Sequence, residues 1–420
     1  MISLLPKRII IADLNKREIT SLLWTGLAVC FVVAMILQPK AVFDGASTGL
    51  KAWWYIVFPS LLPFFIASEL LMSFGLVRFM GVLLEPVMRP LFNVPGAGAF
   101  VMVIGFTSGF PIGSMVTAQL HRQGLCTRIE AERLMSFTNN SSPLFMLVAV
   151  SVGMFGRPEL GVVIAGAHYL ANIVLGLLLR FYGRHDREYI KPPANGDFLL
   201  KRACQVLIQH VRQEQRALGK LVGDAVTSSI AKLLNIGGFI ILFAVIIKLL
   251  TQVGFIKWLA AVFGMVLVPL GFNPEILTAL ASGFFEMTIG TKLASEAAAP
   301  ELQRLMAVAL ILGWSGLSVH AQAASMIAET NIRMGIFIIT RVAHGLLAAL
   351  FTWLLYQPEK VTSMLALPAL SLAGSYSPHS TLTIIAGSFG IMVSAIILLF
   401  LLAVLLQLCT LLCKLVLRLY

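Results

Sequence analysis

Between Gly105 and Phe145 the chain reads GFTSGFPIGSMVTAQL, a short basic link, and IEAERLMSFTNNSSPLF. Hydroxyls, amides and helix-breaking residues therefore fall inside a stretch apolar enough to lie in a bilayer. A partial echo, SGFFEMTIGTKLAS, runs from Ser282 to Ser295, followed by the interrupted apolar run LMAVALILGWSGLSVHAQAAS from Leu305 to Ser325. In the first stretch the donors and turn formers are Ser108, Gly109, Thr138, Asn139, Asn140, Ser141 and Ser142. In the second they are Ser282, Gly283, Glu286, Ser315, Ser318, His320 and Gln322. Asn amides, hydroxyls and unpaired helix N–H groups solvate a polar or anionic solute without a buried counter-charge, and helix N-termini favour negative charge. These residues are the expected substrate-binding set.

Each has a plainer reading as well. Asn139 and Asn140 cap a broken helix as readily as they bind a ligand. Glu286 is a carboxylate among apolar residues, which marks an ion or proton path, or else serves a neighbouring backbone or Arg. His320 titrates near neutrality but also packs well between small residues. Glu69 has the same standing as Glu286, nearer a span end. Arg341 is expected to snorkel to the cytoplasmic face, so neither it nor His344 joins the set. Gly313-Trp314-Ser315-Gly316 with His344 on the next span also fits the serine–histidine dyad of rhomboid-type intramembrane proteases. Five cysteines (Cys30, Cys126, Cys204, Cys409 and Cys413) show no CxxC pair. An odd count gives no disulfide framework, and Cys409 and Cys413 lack a second pair for a metal. No cofactor is expected; a coupling ion, proton or sodium, is left open.

Of the 420 residues, 58% are hydrophobic and 12% charged, which identifies a polytopic membrane protein. The net charge of +12 then reports topology rather than nucleic-acid binding. Spans are expected at Ile19–Leu37, Trp53–Phe74, Ile129–Phe155 (broken at Asn139–Pro143), Gly161–Tyr182, Ile230–Val253, Leu302–Ala328 (broken near Gly313–Ser318), Ile332–Tyr356 and Ile385–Leu415. Trp53, Trp54 and Tyr55 read as an interfacial anchor. Val77–Phe92, Phe198–Leu221 and Ile256–Leu270 read as surface helices. Gly96–Gln119 and Pro274–Ala294 read as re-entrant hairpins, the first with its tip near Ser108–Gly113. The fold expected is all-α: about eight transmembrane helices plus two re-entrant hairpins. Lys7, Arg8, Lys16 and Arg17 before the first span place the N-terminus in the cytoplasm, and the same count places the C-terminus there with most of the 31 Lys and Arg.

Ser108-Gly109-Phe110 recurs as Ser282-Gly283-Phe284, and Arg133-Leu134-Met135 as Arg304-Leu305-Met306, at nearly the same offset. Three spans separate the two SGF motifs, so the second unit is expected upside down: an inverted repeat, the architecture of alternating-access transporters. Residues 1–50 hold the first span, 51–182 the first repeat, 183–226 a basic cytoplasmic loop and surface helix, 227–357 the second repeat, and 358–420 an extracytoplasmic loop and last span.

KAWWYIVFPSLLPFF (Lys51 to Phe65), FMGVLLEPVMRPLFNVPG (Phe79 to Gly96), SGFPIGS (Ser108 to Ser114) and TRIEAERLMSFTNNSSPLF (Thr127 to Phe145) resemble the YlbJ-type sporulation integral membrane proteins, also called the stage V sporulation protein V family. That family lies within the nucleoside recognition, or Gate, domain superfamily, so both repeats would be Gate-like. The resemblance implies a transporter carrying dipicolinic acid (pyridine-2,6-dicarboxylate) from the mother cell across the outer forespore membrane. It also implies a fold like that of the concentrative nucleoside transporters. The residues themselves leave the substrate open, because Ser and Asn donors suit a nucleoside or another carboxylate equally. A membrane scaffold or an intramembrane protease are the other readings. Partners expected are a small anion and lipid, with a homo-oligomer possible and no nucleic acid.

Overall fold

The computed structural model of the chain describes residues 15–143, 145–183 and 199–357. All regular structure among them is helical. The first elements are α1 (Lys16–Leu37), α2 (Pro39–Ala52), α3 (Phe58–Ser73) and α4 (Leu76–Phe92). α1 starts from a reciprocal cap, in which Glu18 N–H donates to the Asn15 side chain and Asn15 N–H to the Glu18 carboxylate. Its apolar sides are exposed, as suits a helix in lipid.

α2 was not anticipated: the sequence around Asp44 and Thr48 lacks a span-like run, yet it forms a helix lying along α10. Gly45 and Gly49 let it approach, since a Cβ on Gly49 would sit 2.8 Å from Ile241 Cα. A π-helical turn at Trp53–Val57 links α2 to α3. Here the anchor expectation is corrected in part. Trp54 and Tyr55 are exposed, but Trp53 is buried and its indole N–H donates to Leu233 O at 3.0 Å.

After α4 come α5 (Gly98–Ser108), α6 (Ile112–Arg122), α7 (Arg128–Thr138), a π-helical run Phe145–Met154, and α8 (Leu160–Leu179). Next are α9 (Leu199–Gln213), α10 (Leu218–Gln252) and α11 (Phe255–Leu267). The chain continues through α12 (Leu277–Phe285), α13 (Met287–Glu296), α14 (Glu301–Trp314), α15 (Gly316–Ile327) and α16 (Met334–Leu355). The surface helix expected over Phe198–Leu221 ends at Gln213. It packs on α4, under the α3–α4 bend, where the His210 ring meets Ser73 O at 3.0 Å. α10 has 35 residues, about 50 Å of helix, and so outruns the span expected there.

Among the described residues five helical segments are long and apolar enough to cross a membrane: Glu18–Leu37, Leu160–Leu179, Leu218–Gln252, Glu301–Ile327 (α14 and α15 together) and Met334–Leu355. A sixth follows if Phe65–Ser73 and Leu76–Phe92, bent by 82°, are one span. The expected span at residues 385–415, and with it Cys409 and Cys413, lies outside the described residues.

Two polar belts mark opposite ends of α8 and α16. At one end Arg157 bridges Glu159 (2.5 Å) and Glu301 (2.6 Å), and the Tyr356 hydroxyl donates to Glu301 (2.8 Å). Burial alone would raise the Glu159 carboxyl, but its own backbone N–H and Arg157 hold it below the usual carboxylate range. At the other end the Arg333 guanidinium (2.8 Å) and the Tyr182 hydroxyl (2.7 Å) both donate to Glu132. α8, 20 residues and about 30 Å long, separates the belts by a bilayer's hydrocarbon thickness.

α5 and α6 fold back on each other through Gly109-Phe110-Pro111, and α12 and α13 through Glu286. In the second hairpin the arms touch backbone to backbone: a Cβ on Gly290 would lie 2.2 Å from Gly283 Cα. Gly290→Ala must therefore push the arms apart and is expected to cost about 1–3 kcal/mol. Thermal unfolding followed by size exclusion should show a lowered midpoint, whereas Gly223→Ala, whose added methyl meets nothing within 4 Å, should not.

Candidate functional site

α7 stops inside the protein because its last carbonyls are taken by side chains. Arg341 on α16, completely buried, donates through Nη1 to Asn139 O at 2.8 Å and through Nη2 to Ser136 O. A guanidinium supplies the positive charge that a helix C-terminus favours. The expectation that Arg341 snorkels to the surface is thus overturned, because the break itself creates a buried site for it. Asn140 Nδ2 donates back to Phe137 O at 3.2 Å, and the Asn139 side-chain oxygen accepts from Ser114 N–H at 3.4 Å. Ser141 N–H donates to His168 Nε2 at 3.2 Å, and the Ser142 hydroxyl accepts from Phe145 N–H at 3.1 Å, starting the π-helical run.

The first hairpin clamps this break. A Cβ on Gly105 would lie 2.1 Å from Thr138 O and one on Gly113 2.5 Å from the same atom, so only glycine lets both arms reach it. Gly109, at φ +89°, turns the chain beside Ser142.

The second break is built differently. Ser315 and Gly316 both take left-handed backbone, at φ +70° and +78°, a conformation that costs a non-glycine residue about 1–2 kcal/mol. Gly316 sits against the turn of the second hairpin, where its Cβ would lie 3.0 Å from Phe285 O. That turn falls at Glu286, not at the SGF motif, so Phe284 is still helical. The first SGF is followed by Pro111, which stops α5, whereas Glu286 instead goes extended and caps α13, accepting from Ile289 N–H at 2.8 Å. Trp314 stacks on Phe284 at 5.3 Å and donates to its carbonyl at 2.9 Å; its other neighbour is His320, whose Nδ1–H donates to Gly316 O at 2.8 Å.

Both turns and the first break open onto one cavity of about 820 Å³. Of the expected residues it gathers Ser108, Gly109, Ser141 and Ser142 from the first unit, and Glu286 and Gln322 from the second. Thr138, Asn139 and Asn140 lie behind its wall, holding the break. Ser282, Gly283, Ser315, Ser318 and His320 are likewise buried without lining it; Gly283 packs on Ile311, and Ser318 accepts from Gln322 at 3.2 Å. Gln322 and Ser318 are on helix α15, because the break is confined to Ser315 and Gly316 rather than extending to Ser318.

Val148, Val152 and Met154 of the π-helical run form one wall and Thr288, Lys292 and Glu296 of α13 another. Both elements run from the cavity floor toward the Arg157–Glu301 belt, and on α13 the Lys292 and Glu296 side chains are more than half exposed. Toward the Glu132–Arg333 belt it is sealed by packed Phe100, Met115, Met135, Phe137 and Ile327. Sequence reasoning missed Thr288, Lys292 and Glu296, although their four-residue spacing on a short helix was visible. It also left the partner of Glu69 open, which is Lys232 on α10.

Buried beside the first break are His168 and His344, with ring centroids 4.4 Å apart. His344 Nε2 bonds His168 O at 3.0 Å, and the Ser315 hydroxyl donates to Trp314 O at 2.5 Å. The Ser315 hydroxyl is thus turned onto the neighbouring backbone carbonyl.

The nucleoside recognition family, Gate, matches residues 54–158 and 233–333. The chain is 46% identical to the sporulation integral membrane protein YlbJ of Bacillus subtilis over 346 residues, 82% of this chain and 85% of that protein. It is 32% identical over 146 residues to an uncharacterized protein of Alkalihalophilus pseudofirmus, covering 32% of this chain and 31% of the relative. No solved structure matches it.

Replacing Arg341 tests the break directly. Arg341→Met leaves two buried carbonyls without their donors and is expected to cost about 2–4 kcal/mol. Thermal denaturation in detergent should register it as a clear drop in midpoint, larger than for Arg122→Met on the surface.

Proposed function

The chain belongs to the YlbJ family of sporulation integral membrane proteins, and on that premise we propose that it is an alternating-access transporter of a small polar anion. Its cargo is dipicolinate, carried from the mother cell across the outer forespore membrane. One observation carries the transport reading: two hairpin turns, each pressed against a broken helix, meet around one cavity. Helix ends inside a bilayer are tolerated only where protein, water or ligand completes them, and a cavity of this size suits a small ligand.

The opposed orientation of the two halves supports the inverted repeat. Arg133-Leu134-Met135 lies near the start of α7, at the Glu132–Arg333 belt, while Arg304-Leu305-Met306 lies near the start of α14, at the Arg157–Glu301 belt. The Gate match to both stretches supports the same reading. Residues 51–182 and 227–357 are then the two Gate-like units, and α5–α6 and α12–α13 are re-entrant. The excess of Arg at 122, 128, 133 and 333 makes the Glu132–Arg333 end cytoplasmic, with both termini. The cavity faces away from the cytoplasm, and the alternate state opens beneath α6 and α15.

Ser108, Ser141, Ser142 and Gln322 present hydroxyls and an amide to the carboxylates, and Tyr55, Phe110 and Phe145 give the ring a flat apolar wall. The remaining expected residues, Thr138, Asn139, Asn140, Ser282, Gly283, Ser315, Ser318 and His320, hold the two breaks in shape. Glu286, on the cavity floor, is the natural place for a coupling proton or sodium ion. A nucleoside is the second reading, since the same donors serve a ribose.

In liposomes the purified protein should take up radiolabelled dipicolinate. Ser108→Ala and Ser142→Ala should each slow uptake about 10- to 150-fold, the range expected for loss of a hydrogen bond to a charged group, with size exclusion verifying that each variant is folded. Uptake of nucleosides in place of dipicolinate moves the assignment to the second reading; uptake of neither overturns the transporter. Imposed pH and sodium gradients then identify the coupling ion.

A further inference from the structure

Thr288, Lys292 and Glu296 form a polar stripe along one face of α13, and all three line the cavity. Lys292 is the one cationic side chain among the lining residues, alongside two carboxylates, Glu286 at the floor and Glu296 near the rim. The charged part of the stripe does little for the helix that bears it. Lys ahead of Glu at four-residue spacing is the weaker order for a helical ion pair, and Glu296 is the last residue of α13, where the dipole disfavours a negative charge. The Lys292 ammonium lies 3.9 Å from the Glu296 carboxylate, and both side chains are more than half exposed, at 65% and 57%. Such a pair is weak and exchangeable.

We propose that Lys292 is the anion-selecting residue at the cavity mouth: it exchanges Glu296 for a carboxylate of the cargo and passes that carboxylate along α13 to Thr288 and the hydroxyls at the floor. The proposal rests on the transporter reading and adds to it the source of anion preference. Without Lys292 the lining carries only negative charge and would repel a dianion. With it, the mouth holds a cation whose resident partner is a carboxylate of the same chemistry as the cargo, so release by Glu296 is built in. Charges at such a rim act on capture and salt dependence more than on the later steps.

The test is uptake by proteoliposomes with radiolabelled dipicolinate, at low and at physiological ionic strength. Lys292→Gln should raise the half-saturating concentration about fivefold, keep the maximal rate within about twofold, and flatten the salt dependence. Lys292→Arg should restore all three. Glu296→Gln, which frees the ammonium, should lower the half-saturating concentration. Because both side chains are largely exposed, these variants keep the packed core, and size exclusion verifies it. If the wild type moves dipicolinate and Lys292→Gln matches it in half-saturation and salt dependence, this inference falls and the transporter reading stands. If the wild type moves isophthalate but not dipicolinate, with the same dependence on Lys292, the cargo assignment falls and the role of Lys292 stands. No anion flux in the wild type overturns both.

Discussion

The structure depends on one constraint: backbone polar groups inside hydrocarbon must be paired, and this chain interrupts helices where a membrane protein can least support it. Each interruption is answered by a second element. The carbonyls ending α7 receive the Arg341 guanidinium, and the hairpin of α5 and α6 closes on Thr138 through two glycines. The Ser315–Gly316 break is closed by the hairpin turn at Glu286 and by the Trp314 indole. Because a hairpin seals a break in each half, the two interruptions become one site rather than two defects.

The two breaks differ in charge. Arg341 and the two histidines cluster behind the first break, whereas the second is lined by aromatic stacking between Phe284, Trp314 and His320. A carboxylate, Glu286, stands at the second turn, and hydroxyls stand at the first. This asymmetry makes the two sides of the cavity chemically different.

The two polar belts tie helices together at opposite ends of α8 and α16. Arg157 joins the segment before α8 to the start of α14, while Arg333 joins the start of α16 to α7. The Glu132 carboxylate is completely buried between Arg333 and Tyr182, so separating that cluster would leave a buried charge unpaired and costs more than parting an exposed ion pair.

Much of this was legible in the chain. Apolar length gave five of the eight expected spans, the glycines and prolines after Ser108 gave the first turn, and Asn139 to Pro143 gave the first break, because backbone conformation there is decided by residue type within a few positions. The π-helical run, the helix of α2, the turn at Glu286 in place of Ser282-Gly283-Phe284, and the burial of Arg341 were not legible. Each is settled by tertiary packing: α2 lies on α10, the π-helical run on α8, the Glu286 turn against Gly316, and Arg341 on the end of α7. Sequence by itself determined that helices must break inside the bilayer, since it places residues there that cannot sustain one. Only the tertiary structure decided which groups complete the broken ends and which of the polar residues face the cavity, because pairing a buried dipole is a matter of distance, and distance is a property of the folded chain.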